Sequence, residues 1–220
     1  MITAAGWMLH PAIAQEGAAK RDADLEKKAA EWTASLQLTD TAASAKVQQA
    51  ILKHLEFVRD WHNGHPFTLV PAGINPATGN KLSELDRQVI ICSAQPSAAH
   101  DSLMKTLTAS LDTAQVAAIL DKYTVGKVAF TLKGYQAIVP DLTAKETAEI
   151  LKNLRQAREQ AIDYKSMKEV SAIFEIYKTK CEQYLGSNGR NWRQLFKTYV
   201  DRVKAEKEAE KNKKIISNEK

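Results

Sequence analysis

The sequence predicts an all-α protein, a multi-helix bundle of about six to seven helices with one long Gly/Pro-rich loop. Apolar residues recur at three- and four-residue spacing, as on the buried face of a helix. Two segments open with a capping box, Thr143 with Glu146 and Ser166 with Glu169. Gly, Pro and Asn, which break helices, are concentrated in residues 64–80. These three observations favour helices around one irregular connection.

The first two helices are predicted from their start signals. The first begins near Asp22 or Asp24, and the second is capped by Thr39 and ends near His62. The loop at 64–80 is long for a structureless connection, so it is either functional or contains a short strand pair around Phe67.

The central helices are delimited by proline and by caps. The segment "SELDRQVIIC" is predicted as a helix, Pro96 interrupts it, and another helix resumes at Ser97. Asp112, with Gln115 at the box position, starts the next one. The step formed by Lys133, Gly134 and Tyr135 is predicted to be non-helical.

The last helices follow from the two capping boxes. One runs from Thr143 to about Tyr164, and the next begins at Ser166 and ends near Gly186. The final helix becomes wholly charged after Val203, where no apolar face remains to hold it, so we expect it to fray.

The domain organisation predicted is a signal-peptide remnant and linker at 1–20, a single helical domain at 21–203 and a charged fraying tail at 204–220. The small-x-small pattern of Ala12-Ile13-Ala14 after an apolar run indicates a secretory signal, which predicts a periplasmic or secreted protein. The alternative is an Ala-rich tail. Because no run of about 18 apolar residues occurs, no membrane span is predicted.

Composition argues against several classes of function. The net charge is +5, but much of the excess lies in the C-terminal tail, and no basic stripe with interleaved aromatics indicates nucleic-acid binding. Cys92 and Cys181 either pair or are buried small hydrophobes, and the second interpretation is favoured. His62 and His65 beside Asp60 lack a visible third ligand, so no metal and no cofactor is predicted.

Helical phase places polar residues on faces that should be buried. His62 falls on the stripe of Val47, Ile51, Leu55 and Val58, with His54 at its edge, and Arg158 falls on the apolar face of its own helix. Tyr177 and Tyr184 are predicted to point inward. A buried Arg needs an anion, so either a structural ion pair satisfies Arg158 or these helices border a polar cleft.

A family resemblance is carried by "LKGYQAIVPDLTAKETAEILKNLRQAREQAID". Its most specific parts are Lys133-Gly134-Tyr135, Pro140-Asp141-Leu142-Thr143 and Ala157-Arg158-Glu159 through Asp163. In these parts the chain resembles a bacterial domain-of-unknown-function family, number 3826, whose members are expected to bind sugars. The family pattern has tyrosine where this chain has Leu132. The resemblance implies an exported helical domain associated with polysaccharide use, and it supplies no catalytic residues.

The function predicted is binding of an acidic saccharide, for example one containing uronate, in an interhelical cleft. Residues predicted to contact it are His62, Lys133, Tyr135, Arg158 and Tyr177. One alternative is an enzyme on the same substrates, such as a uronate-directed lyase with Tyr135 or His62 as base. Another is a periplasmic chaperone-like helper. No nucleic-acid partner is predicted.

Overall fold

The computed structural model describes residues 11–76 and 78–218, with side chains described over 22–76 and 78–211. Within these ranges all secondary-structure elements are helices, which confirms the all-α class. The predicted six to seven helices were too few, because nine α-helices occur there: α1 Pro11–Ala34, α2 Thr41–Gly64, α3 Glu84–Ser93, α4 Ala98–Ser110, α5 Thr113–Thr124, α6 Lys127–Ile138, α7 Ala144–Ala161, α8 Met167–Ser187 and α9 Trp192–Asn218.

The helix starts are set by the predicted capping chemistry. Thr143 and Ser166 each accept a hydrogen bond from the backbone N–H three residues on, and the Glu carboxylate at that position accepts one from the backbone N–H of the cap residue. Asp112 and Gln115 exchange the same pair of bonds at 2.8 and 3.1 Å. The cap predicted for α2 was wrong by one residue, because Asp40, not Thr39, accepts from the first helical N–H groups. A carboxylate satisfies those donors at least as well as a hydroxyl.

Two predicted boundaries are corrected. The first helix begins at Pro11, earlier than Asp22 or Asp24, although residues 1–10 of the predicted signal region lie outside the described residues. The step at Lys133, Gly134 and Tyr135 is helical and lies within α6. An internal Gly costs a helix only about 1 kcal/mol. Burial of Tyr135, which is 2% exposed, offsets that cost.

The connection between α2 and α3 has little regular structure. A single 3-10 turn covers Phe67–Leu69, so the short strand pair expected around Phe67 is not formed there. An isolated antiparallel bridge joins Ile74 to Lys81. The Arg87 guanidinium donates to the Val70 carbonyl at 2.7 Å, which ties this connection to α3.

The chain divides into two compact units. Unit 1 comprises the described residues up to 122 together with 163–165, and unit 2 comprises 123–162 and the described residues from 166 onward. In unit 1, α2 packs on α1 and α4 around Ile51, Leu103 and Leu107. In unit 2, α7 and α8 make the largest packing contact, and α6 and α9 join them.

Three further features bear on the sequence predictions. Over the described residues, no helix combines the length and apolarity that a bilayer crossing requires. The charged stretch after Val203 continues as part of α9, so its predicted fraying stays a prediction. Cys92, in unit 1, and Cys181, in unit 2, are both buried, in keeping with the favoured interpretation of these thiols.

The turn between α5 and α6 contains strained backbone. Val125 has φ of +52° and is 72% exposed, so a β-branched residue occupies the left-handed region without packing to compensate. Asn tolerates that region better. We expect Val125→Asn to raise the free energy of unfolding by about 1 kcal/mol in urea denaturation. Val125→Ala removes the β-branch but offers no side-chain hydrogen bond to the local backbone, so it should gain less, and equal gains would contradict this explanation.

Candidate functional site

Unit 2 contains a groove of about 670 Å³ between α6, α8 and α9. Much of its wall is aromatic, and the rings belong to Phe130, Tyr135, Phe174, Trp192, Phe196 and Tyr199. This volume lies within the range of small-molecule sites, which are mostly apolar with a few polar groups that orient the ligand. The groove is therefore the candidate site of unit 2.

The aromatic wall follows from helical spacing on α9. Trp192, Phe196 and Tyr199 are separated by four and three residues, so they share one face of the helix. The rings of Tyr135 and Trp192 are 5.2 Å apart between centroids, and those of Trp192 and Phe196 are 6.2 Å apart. Neighbouring rings therefore form a continuous apolar surface.

Two lining residues of α6 leave this surface accessible. The Phe130 side chain is 78% exposed, which is unusual for so large an apolar group. A Cβ added at Gly134 would meet nothing within 4 Å, so the glycine leaves open space beside the rings. The groove therefore has open space beside its aromatic wall.

Tyr135 contributes its ring rather than a reactive hydroxyl. Its hydroxyl donates to the backbone carbonyl of Lys178 at 3.1 Å. Burial, with a smaller contribution from Cys181, raises the pKa of Tyr135 far above its usual value. A phenol that is neutral and hydrogen-bonded within the protein is poorly suited to be a general base. The geometry therefore favours a structural and stacking role over the base proposed for a lyase.

Both positively and negatively charged side chains line the groove. The Lys178 amino group is 2.9 Å from the Glu175 carboxylate, and Lys127 lies 5.7 Å from the Phe174 ring centroid. Burial raises the pKa of the Glu182 carboxyl, and Lys178 opposes that effect. Lys133 is exposed, and within the described part of the chain it has no ion-pair partner. Lys133 is thus available to an anionic group of a ligand.

The predicted contact residues are only partly brought together. Lys133 and Tyr135 line the groove. Arg158 belongs to the same unit but is buried on α7, at 9% exposure, and it is not among the lining residues. Tyr177 is half-buried on α8 with Lys180 Nζ 4.2 Å from its ring centroid, and it does not line the groove either. His62 is half-buried on α2, in unit 1.

The two tyrosines of α8 that were predicted to point inward, Tyr177 and Tyr184, are half-buried. The fully buried residues of this helix include Val170, Ile173, Phe174, Cys181 and Leu185. A tyrosine at the edge of a helix face can bury its ring and keep its hydroxyl in water.

A second cluster of polar side chains occurs in unit 1. The Asp163 carboxylate lies 3.0 Å from His54 Nε2 and 2.9 Å from His100 Nδ1. Burial tends to raise the pKa of Asp163, but the hydrogen bonds from His100 and His54 outweigh it and lower the pKa. Within the described residues this is the group whose donor atoms could hold a metal ion.

Sequence reasoning identified Lys133 and Tyr135 of the groove, but not its phenylalanines or the cluster of His54, His100 and Asp163. The aromatic face of α9 could have been found from the spacing of Trp192, Phe196 and Tyr199. His54 was placed at the edge of its stripe, yet it is 2% exposed, while Leu55 is half-buried. Its distance in sequence from Asp163 gives no local signal of their contact.

The sequence comparisons agree with the resemblance noted above. Residues 23–205 match the family described as "Protein of unknown function (DUF3826)". No curated protein matches the chain. Since the family match covers most of the sequence, including every helix of unit 2 in whole or in part, the chain belongs to the DUF3826 family of proteins of unknown function.

Proposed function

We propose that the groove of unit 2 binds a saccharide, with a preference for one that carries a carboxylate. The observation that carries this proposal is the wall of Trp192, Phe196 and Tyr199 beside open space at Gly134. The C–H face of a pyranose ring packs well on an aromatic face, because aromatic side chains offer a large apolar area at low cost in conformational entropy. Hydroxyl groups of the same ring would remain in reach of the charged groups at the groove.

The preference for an acidic saccharide rests on Lys133. Its amino group is exposed and has no ion-pair partner among the described residues, whereas Lys178 is paired with Glu175. A lysine acts as a point charge that attracts a carboxylate without demanding one geometry. Arg158, predicted as the second cation, is buried outside the groove lining, so the proposal places the carboxylate at Lys133 instead.

We further propose that the protein acts outside the cytoplasm in polysaccharide utilisation. This part rests on the small-x-small pattern at Ala12–Ala14 and on the family resemblance. Fractionation of expressing cells tests it. Recovery of a shortened chain in the periplasm or medium supports export, and exclusive recovery of the full chain in the cytoplasm contradicts it.

Calorimetric titration with acidic and neutral oligosaccharides of equal length tests the binding proposal. We expect Lys133→Met to weaken binding of oligogalacturonate about 3- to 5-fold, because an exposed charge pair contributes up to about 1 kcal/mol. Binding of the neutral oligosaccharide should not change. Raising the salt concentration should reduce the difference between wild type and variant.

A matched control is Lys152→Met on α7. Lys152 is 62% exposed, pairs with Glu149 and does not line the groove, so its loss should leave both affinities unchanged. Absence of binding to a broad panel of acidic and neutral saccharides would overturn the proposal. Equal loss of both ligands in Lys133→Met would overturn the assigned role of Lys133.

A further inference from the structure

Three side chains from separate parts of the chain converge in unit 1. His54 lies on α2, His100 lies on α4, and Asp163 lies in the turn that follows α7. One potential ligand atom from each lies within 4.8 Å of the other two. Convergence from three elements places the donors around one point.

The spacing of these atoms suits a metal ion at their centre. Bonds from zinc to imidazole nitrogen or carboxylate oxygen are about 2.0–2.2 Å, so two ligands at a tetrahedral angle on one ion stand about 3.3–3.6 Å apart. His54 Nε2 is 3.0 Å from Asp163 Oδ1, and His100 Nδ1 is 2.9 Å from Asp163 Oδ2, which is slightly closer because these pairs are hydrogen-bonded to each other. Small side-chain movements would therefore place all three at bonding distance from an ion.

The three side chains differ in burial, so that one is enclosed by the protein and two can be reached from solvent. The side chain of His54 is 1% exposed, whereas those of His100 and Asp163 are each 20% exposed. An ion could reach the Asp163 carboxylate from solvent and bind the buried His54 imidazole on its inner side. A position on the solvent side would remain for water or a ligand, as in catalytic zinc sites.

Neighbouring groups hold the carboxylate in place. Gln95 Nε2 donates to the backbone carbonyl of Asp163 at 2.9 Å. Two residues on, Lys165 Nζ donates to the Asn63 side chain at 2.6 Å. Both contacts fix the turn within unit 1 and so position the backbone that carries the Asp163 carboxylate.

We propose that His54, His100 and Asp163 bind a divalent transition-metal ion. Two imidazoles and one carboxylate form a donor set that zinc and ferrous iron both accept, and it differs from the all-oxygen sets preferred by calcium and magnesium. The inference is independent of the saccharide groove, because all three ligands belong to unit 1 and the groove belongs to unit 2.

Zinc and cobalt titrations of the full chain, produced without a histidine tag and stripped by chelator, test the proposal. We expect one zinc ion per chain by elemental analysis after dialysis, and visible absorption bands when cobalt replaces zinc. Asp163→Asn and His100→Ala should each weaken zinc binding more than about 100-fold, since loss of an outer-shell partner alone costs 10- to 100-fold.

Two control variants keep the test specific. His65→Gln removes an imidazole that contacts Trp61. Asp101→Asn removes a carboxylate that is adjacent to His100 in sequence and accepts a hydrogen bond from the Ser97 hydroxyl. Both should keep one zinc ion at unchanged affinity. If circular dichroism shows that Asp163→Asn is not folded, the zinc affinity of His100→Ala, at a partly exposed position, decides whether the cluster binds metal. Failure of the wild-type chain to bind zinc, or undiminished binding by the folded variants, would show that the cluster is only a hydrogen-bonded support.

Discussion

Replacing Trp192 by alanine is expected to weaken saccharide binding at least about 30-fold, which corresponds to about 2 kcal/mol at a central aromatic contact. The indole lies between Tyr135 and Phe196, so its removal interrupts the aromatic wall at its middle. Calorimetric titration of wild type and variant with the same oligosaccharide measures the effect. Both acidic and neutral ligands should be affected, in contrast to the loss of Lys133.

Two companion variants separate the ligand contact from damage to α9. Trp192→Phe preserves a ring at that position and should retain most of the affinity. Gly134→Leu leaves every aromatic residue in place but fills the open space beside them, so it should also reduce binding strongly. Unchanged affinity in both Trp192→Ala and Gly134→Leu would exclude the groove as the binding site.

Replacing Glu146 by glutamine is expected to lower the free energy of unfolding by about 2 kcal/mol. Both Glu146 carboxylate oxygens accept from the Arg190 guanidinium, at 2.9 and 2.8 Å, and the Glu146 side chain is 5% exposed. Glutamine can still complete the capping box with Thr143, so this variant removes the charge and one oxygen that accepts from Arg190 but keeps the cap. Glu146→Ala, which also removes the cap, should destabilise further in the same urea denaturation.

The same pair makes stability depend on pH. Hydrogen bonds from Arg190, and then from the Thr143 backbone, hold the pKa of Glu146 at about 2, below its ordinary value of 4.5. A lowered folded-state pKa stabilises the protein fully above the unfolded value, and this contribution disappears as the carboxylate is protonated. The stability difference between wild type and Glu146→Gln should therefore shrink between about pH 4.5 and about pH 2. A difference that stays constant over that interval would contradict the assignment.

The helices could be predicted from sequence where their signals are local. The capping boxes at Thr143 and Ser166 depend on residues three apart, so pattern alone locates those starts. The prediction of a non-helical step at Gly134 was wrong, because sequence alone does not distinguish a glycine within a helix from a helix breaker when the burial of Tyr135 is unknown. That burial depends on α8 and α9, which local patterns do not place.

The candidate sites were harder to predict because they depend on distant residues. Lys133 and Tyr135 were identified, but the aromatic rings beside them come from Trp192 and Phe196, about 60 residues later in the sequence. Arg158 was correctly predicted to lie on a buried face, yet burial on α7 does not bring it to the groove lining. Helical phase reports which side of a helix is covered, and it contains no information on what covers it.

The most direct test of the proposed function is a crystal structure of the protein soaked with an oligogalacturonate. We predict a pyranose ring stacked on Trp192 or Phe196, with its carboxylate within reach of the Lys133 amino group. A saccharide bound elsewhere on the chain, or a groove filled by a second copy of the protein and closed to sugar, would contradict the account.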